Sequence, residues 1–163
     1  MKKYLKYFAP AAALLALVAF ILLLVTPGVV SVSNNSQYNF PGTTVLFGGT
    51  VKFLIFEGQV KLAWSALVAW ILIIIAVVAF VVLFVLEMLK VSVLDKYAPF
   101  IKLGLSALLI IAAIFVFVTV PVFEAVNELR DLSIGVGYVF AGILAILAAG
   151  VGAVPSVLGL IKK

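Results

Sequence analysis

Five of the six carboxylates in this sequence fall into two short groups, and any acid–base chemistry would have to start there. The first group is Glu87 and Asp95, beside Lys90 and Lys96. Its spacing fits ordinary charge pairing at a helix end, such as Glu87 with Lys90 three residues on. The second is Glu124, Glu128 and Asp131, around Arg130. It would make an acidic patch able to attract a cation, or more simply a solvated loop with one local ion pair. Ser65, Ser106 and Thr119 have no basic neighbour in sequence and are expected to bond back to their own helices. The chain has no His and no Cys. That removes the commonest metal ligand and general base, the thiolate nucleophile and any disulfide. Gly135-Val136-Gly137 lacks the rest of a dinucleotide fingerprint. The expectation is therefore a protein that is not an enzyme and uses no cofactor or metal.

The elements that position these groups are dominated by oil. Of 163 residues, 67% are hydrophobic and 10% charged, with a mean hydropathy of +1.42. Soluble domains run at about 45–50% apolar and about 25% charged. One small core does not hide such an excess, so the expected solvent is lipid. The net charge of +5 comes from basic residues clustered beside the apolar runs. That pattern reads as membrane orientation, not as nucleic-acid binding.

Four spans are predicted, at about 8–28, 62–88, 99–120 and 134–160. Pro10 and Pro99 suit first helical turns, where a missing N–H costs nothing. Pro27-Gly28 should end the first span, and Pro121 the third. The first apolar run is longer than the roughly 7–15 residues of a signal-peptide core, so it is read as an uncleaved anchor. Trp64 sits at an expected interface and Trp70 at a packing depth. Val122, Val126 and Leu129 suggest a short amphipathic turn. Asp131 or Ser133 is the expected cap of the fourth span, which Pro155 would kink near its end. With both termini in the cytoplasm of a cell-membrane protein, Lys2, Lys3, Lys6, Lys90, Lys96, Lys102, Lys162 and Lys163 lie inside. Lys52, Lys61 and Arg130 lie outside. Eight against three is the positive-inside bias.

The outer loop, about 31–61, carries strand signals. Val45 and Phe47 alternate, as do Val51, Phe53 and Ile55, and Gly48-Gly49 between them fits a two-residue hairpin turn. Val29–Ser33 is expected to add a third strand and Phe40-Pro41-Gly42 a turn. Asn34-Asn35-Ser36 matches a glycosylation acceptor, which a bacterial chain would not use. The fold class is all-α membrane: a single domain built as a four-helix transmembrane bundle with a small extracellular antiparallel β-sheet. Tyr38, Phe40, Phe47 and Phe53 are the candidate recognition residues of the outer loop. The alternative for each is that it packs the sheet onto the helix ends.

In lipid, small residues join helices by letting backbones approach. The fourth span has Ala141, Ala145, Ala149 and Ala153 at four-residue spacing, with Gly152 beside them; the first has Ala12 and Ala16, flanked by Ala9 and Ala19. These stripes are expected to face other helices, of this chain or of a second copy.

Four spans, both ends inside, a long strand-rich first outer loop and a short second one resemble the claudin-like tetraspan arrangement. The Trp, Gly-Leu-Trp and paired-cysteine signature of claudins is missing from the loop. The stretch Pro41–Gly48 is similar to a Phe-Gly-bearing loop in small four-span proteins of low-GC Gram-positive bacteria and their wall-less relatives. The resemblance implies lateral assembly, adhesion or service as an accessory subunit. The expected partners are membrane lipids and either a second copy or another membrane protein. The span cores carry no Asp, Glu, Lys or Arg, which weighs against ion-coupled transport. A passive channel or small-solute transport subunit is the alternative.

Overall fold

The computed structural model describes residues 7–33, 36–53, 56–90 and 94–161; the side chains of residues 33, 36, 53, 56, 94–96, 159 and 160 fall outside that description. The elements in chain order are α1 (Phe8–Val25), β1 (Pro27–Ser33), β2 (Ser36–Pro41), α2 (Gly42–Phe47), β3 (Gly49–Phe53), β4 (Phe56–Val60), α3 (Trp64–Met88), α4 (Leu94–Phe117), α5 (Thr119–Asn127), β5 (Leu132–Ile134) and α6 (Val136–Ile161). Helices α1, α3, α4 and α6 are long and apolar enough to cross a membrane. They mark a multi-pass membrane protein.

Each long helix has two helical neighbours. α1 packs on α3 and α6, and α4 packs on α3 and α6. The contact faces are built from small residues. Ala9, Ala12, Ala16 and Ala19 of α1 are buried, as are Ala141, Ala145, Ala148 and Ala149 of α6. Gly152 is buried and Ala153 half-buried. Larger side chains fill what remains: Ile73 and Phe80 from α3, Leu109 and Val116 from α4, all buried. The opposite faces expose Leu14, Ile21, Val78, Ile111, Ile114 and Ile146, among others. A water-soluble surface seldom carries contiguous apolar area on this scale; in lipid it is the favoured state.

The structure departs from expectation in several places. Helix α1 stops at Val25, because Thr26 turns extended (φ −97°, ψ 158°) while its hydroxyl donates back to Leu22 O at 2.6 Å. Pro27 is tolerated as the first residue of β1, where a missing N–H costs little. Phe40 and Pro41 finish β2, and Gly42 begins a helix, so that tripeptide is a strand-to-helix joint.

Val45 and Phe47 belong to helix α2, not to a strand. Gly48 (φ 73°) ends that helix, and Gly49 (φ 150°) starts β3. The hairpin exists, but as β3–β4 with Phe53 paired to Phe56; its turn and Ile55 lie outside the described residues. Asn34 and Asn35 of the acceptor pattern also lie outside them.

At the other joint, neither Asp131 nor Ser133 caps the fourth span. Ser133 is in β5, paired with Val30, and Asp131 takes a positive φ of 58° just before it. Helix α4 starts five residues before Pro99, which is interior, and ends at Phe117; Pro121 falls in the first turn of α5.

The result is a three-stranded antiparallel sheet, order β2-β1-β5, and a separate two-stranded sheet, β3-β4. The first is sealed onto the helix ends by a compact core. Leu23, Val29, Phe40, Val45, Leu46, Phe123 and Tyr138 are all at most 1% exposed. Gly42 lies so close beneath this core that a Cβ there would run into the carbonyls of Leu23 and Thr26. Its own N–H donates to Thr26 O at 2.9 Å.

Candidate functional site

The candidate site is the sheet end of the molecule, and three side chains hold its parts together. Asn127, at the end of α5, bridges to the strand leading into α3. Its Oδ1 accepts from Lys61 N at 2.6 Å, and its Nδ2 donates to Lys61 O at 3.0 Å and to Phe123 O at 3.0 Å. Glu124 Oε1 accepts from Leu132 N at 2.8 Å, tying α5 to β5. Tyr138 of α6 lies buried under β1, and its hydroxyl donates to Gly42 O at 3.4 Å. The two outer loops are thus one unit. An Asn in an amphipathic turn gives no hint of this, because its partner lies 66 residues away.

The aromatics predicted for recognition divide. Phe40 is 1% exposed and packs edge-on against Phe123 (centroids 5.1 Å) and Tyr38 (5.0 Å). It is a core residue, and the recognition role expected of it is withdrawn. A strand position next to Pro-Gly reads the same whether its side chain points down or out. Tyr38 is half-buried beside it. Phe47 is 51% exposed and leans edge-on against Trp70 (5.6 Å), which in turn stacks on Phe20 (5.0 Å). The side chain of Phe53 lies outside the described residues.

Between Phe47 and α3 stands the β3–β4 hairpin. Five residue pairs hold it, from Gly49–Val60 to Phe53–Phe56. Val51 is buried, while Lys52 and Glu57 form an exposed ion pair at 2.6 Å. Such an exposed pair contributes little, of the order of 0–1 kcal/mol. Neither strand pairs with the three-stranded sheet. Both outer edges therefore offer backbone N–H and C=O groups.

The carboxylates do not converge. Among the described residues no three His, Cys, Asp or Glu side chains come together to hold a metal ion. Glu124 is committed to Leu132, and Glu128 and Asp131 sit exposed on positive-φ residues of the loop. At the end away from the sheet, Glu87 pairs with Lys102 of α4 and not with Lys90. Lys90 has a positive φ of 53°, which takes it off the helical path that the three-residue spacing assumes. The side chains of Asp95 and Lys96 lie outside the described residues.

The small-residue positions lie where helices meet within the chain. Ala141, Ala145 and Ala149 of α6 and Ala12 and Ala16 of α1 are covered by the chain's own helices. They leave no small-residue surface on these faces for a second copy.

No family model matches the chain, and no curated protein is similar to it.

Proposed function

We propose that this is a non-enzymatic subunit of the cell membrane that works by contact. It is a four-helix bundle with both termini in the cytoplasm and its sheets outside. Its outer loop binds another membrane protein or a second copy of the chain. The observation that carries this reading is the β3–β4 hairpin, a two-stranded sheet whose edges pair with no other strand among the described residues, beside the exposed ring of Phe47. An isolated hairpin in water is marginal. Exposed strand edges are templates for another strand, and proteins that keep them without a partner blunt them. Strand addition supplies main-chain hydrogen bonds for affinity, with an aromatic anchor such as Phe47 for specificity.

Against a solute path through one chain stands the filled interior, where Ile73, Phe80, Leu109 and Val116 are each fully buried. A conducting state would need several copies.

The test is replacement of residues 50–59 by a short Gly-Ser linker, with a photo-crosslinking residue at position 52 of the intact chain. We expect a discrete crosslinked adduct in the native membrane, and a partner or oligomer in mild detergent that the linker variant loses. A monomeric, adduct-free particle from both proteins refutes the reading.

A further inference from the structure

At the end of the helices away from the sheet, α3, α4 and α6 line an open cavity of about 190 Å³. Glu87 lines it from α3, Ala98, Pro99 and Lys102 from α4, and Pro155 and Ser156 from α6. Lys102 Nζ donates to Glu87 Oε1 at 2.5 Å, with side-chain exposures of 7% and 24%. Ser156 is 1% exposed and its hydroxyl has no hydrogen-bond partner among the described residues.

This arrangement is expensive as mere structure. A lysine near a helix end in a membrane ordinarily snorkels to water; Lys102 is instead buried in the protein. Desolvating both charges costs several kcal/mol per ion, and their attraction offsets that only when the remaining donors and lone pairs are satisfied. Lys102 has three N–H donors, of which Glu87 Oε1 takes one. The Ser156 hydroxyl adds a further unsatisfied donor. Two prolines line the cavity, and a proline inside a helix leaves the carbonyl four residues back without its usual donor. The cavity thus sets spare donors around a pair of zero net charge.

We infer that this cavity binds a zwitterionic aminoethyl phosphate group. Its phosphate oxygens accept from Lys102 and Ser156, and its ammonium donates to Glu87. A ligand with only an oxyanion meets Glu87 unfavourably, and one with only an amine meets Lys102 in the same way. The cavity's depth suits the headgroup layer, since Glu87 is the next-to-last residue of α3. The chemistry is shared by an ethanolamine phospholipid and by free aminoethyl phosphate. A lipid would also find apolar helix faces beside the opening, at the exposed Val157 and Leu158.

The experiment is native mass spectrometry of the full chain in mild detergent. Phosphatidylethanolamine, phosphatidylglycerol and phosphatidylcholine of identical acyl chains are titrated in turn. We expect the ethanolamine lipid to be retained about tenfold more tightly than the other two, about the weight of one charge-assisted hydrogen bond. Ser156→Ala, which removes a donor to the phosphate, should weaken retention of the ethanolamine lipid several-fold. The paired change Lys102→Met with Glu87→Gln should abolish the preference. Displacement of the lipid by free aminoethyl phosphate identifies the headgroup alone as the ligand; no displacement identifies the whole lipid. Equal retention of all three lipids, preference for phosphatidylglycerol, or unchanged retention of the ethanolamine lipid in Ser156→Ala overturns the inference. Ser156→Ala removes one oxygen, so its result stands even if the charge variants fail to fold.

Discussion

Asn127 shows how much a single polar side chain decides at the sheet end. A primary amide has both a donor and an acceptor, and here they meet the C=O and N–H of the same residue, Lys61. No other side chain of that length offers this match. Asn127→Ala should lower stability by about 1–2 kcal/mol, through the loss of three hydrogen bonds with some solvent access. Asn127→Asp keeps the acceptor for Lys61 N but loses the donor, and should fall between the two. Thermal unfolding in detergent, followed by the near-ultraviolet signal of Trp64 and Trp70, checks the order. Equal stability of all three proteins would remove Asn127 as the tie between the loops. Gly42 decides by the opposite means, through what it lacks. Its missing Cβ lets α2 settle onto the carbonyls of Leu23 and Thr26.

Elements were legible in the sequence to the extent that their signal was long. The four long helices follow from runs of apolar residues that nothing else accommodates. Strand β1 was visible in Val29–Ser33. Helix α2 was not, because Val45 and Phe47 two apart satisfy a strand, and six residues are too few to show a 3.6-residue period. Strand β5 has three residues and no pattern of its own; it exists because β1 offers an open edge that Leu132–Ile134 can reach. The ion pair Glu87–Lys102 was hidden for a similar reason, since its partners lie on different helices. Packing of the small stripes is the element-scale property most open to test. Ala145 on α6 is fully buried, whereas its neighbour Ile146 is 47% exposed. Ala145→Leu should cost about 1–3 kcal/mol through overpacking, and Ile146→Leu should be neutral. Resistance to unfolding in a graded sodium dodecyl sulfate series separates the two. Comparable losses at both positions would mean that α6 is not packed by that face.

At the scale of the whole molecule, the open question is which side of the membrane the sheets occupy, and charge argues for outside. The position of Lys102 changes the count. Lys102 lies within α4 and not in a loop, so it leaves the tally of eight. Lys2, Lys3, Lys6, Lys90, Lys96, Lys162 and Lys163 remain on one side, against Lys52, Lys61 and Arg130 on the other. Acidic residues steer insertion little, so the bias of seven to three stands on the basic residues alone. The absence of cysteine makes the orientation directly measurable, because each introduced thiol is the only one in the chain. Gln59→Cys, on the exposed hairpin, should react with a membrane-impermeant maleimide on intact cells. Lys90→Cys, beyond the end of α3, should react only after permeabilisation. Reaction of both from outside would mean an even number of crossings between them and would break the bundle. The reverse pattern would keep the bundle but turn the hairpin to the cytoplasm, and the partner sought through it would then be a cytoplasmic one.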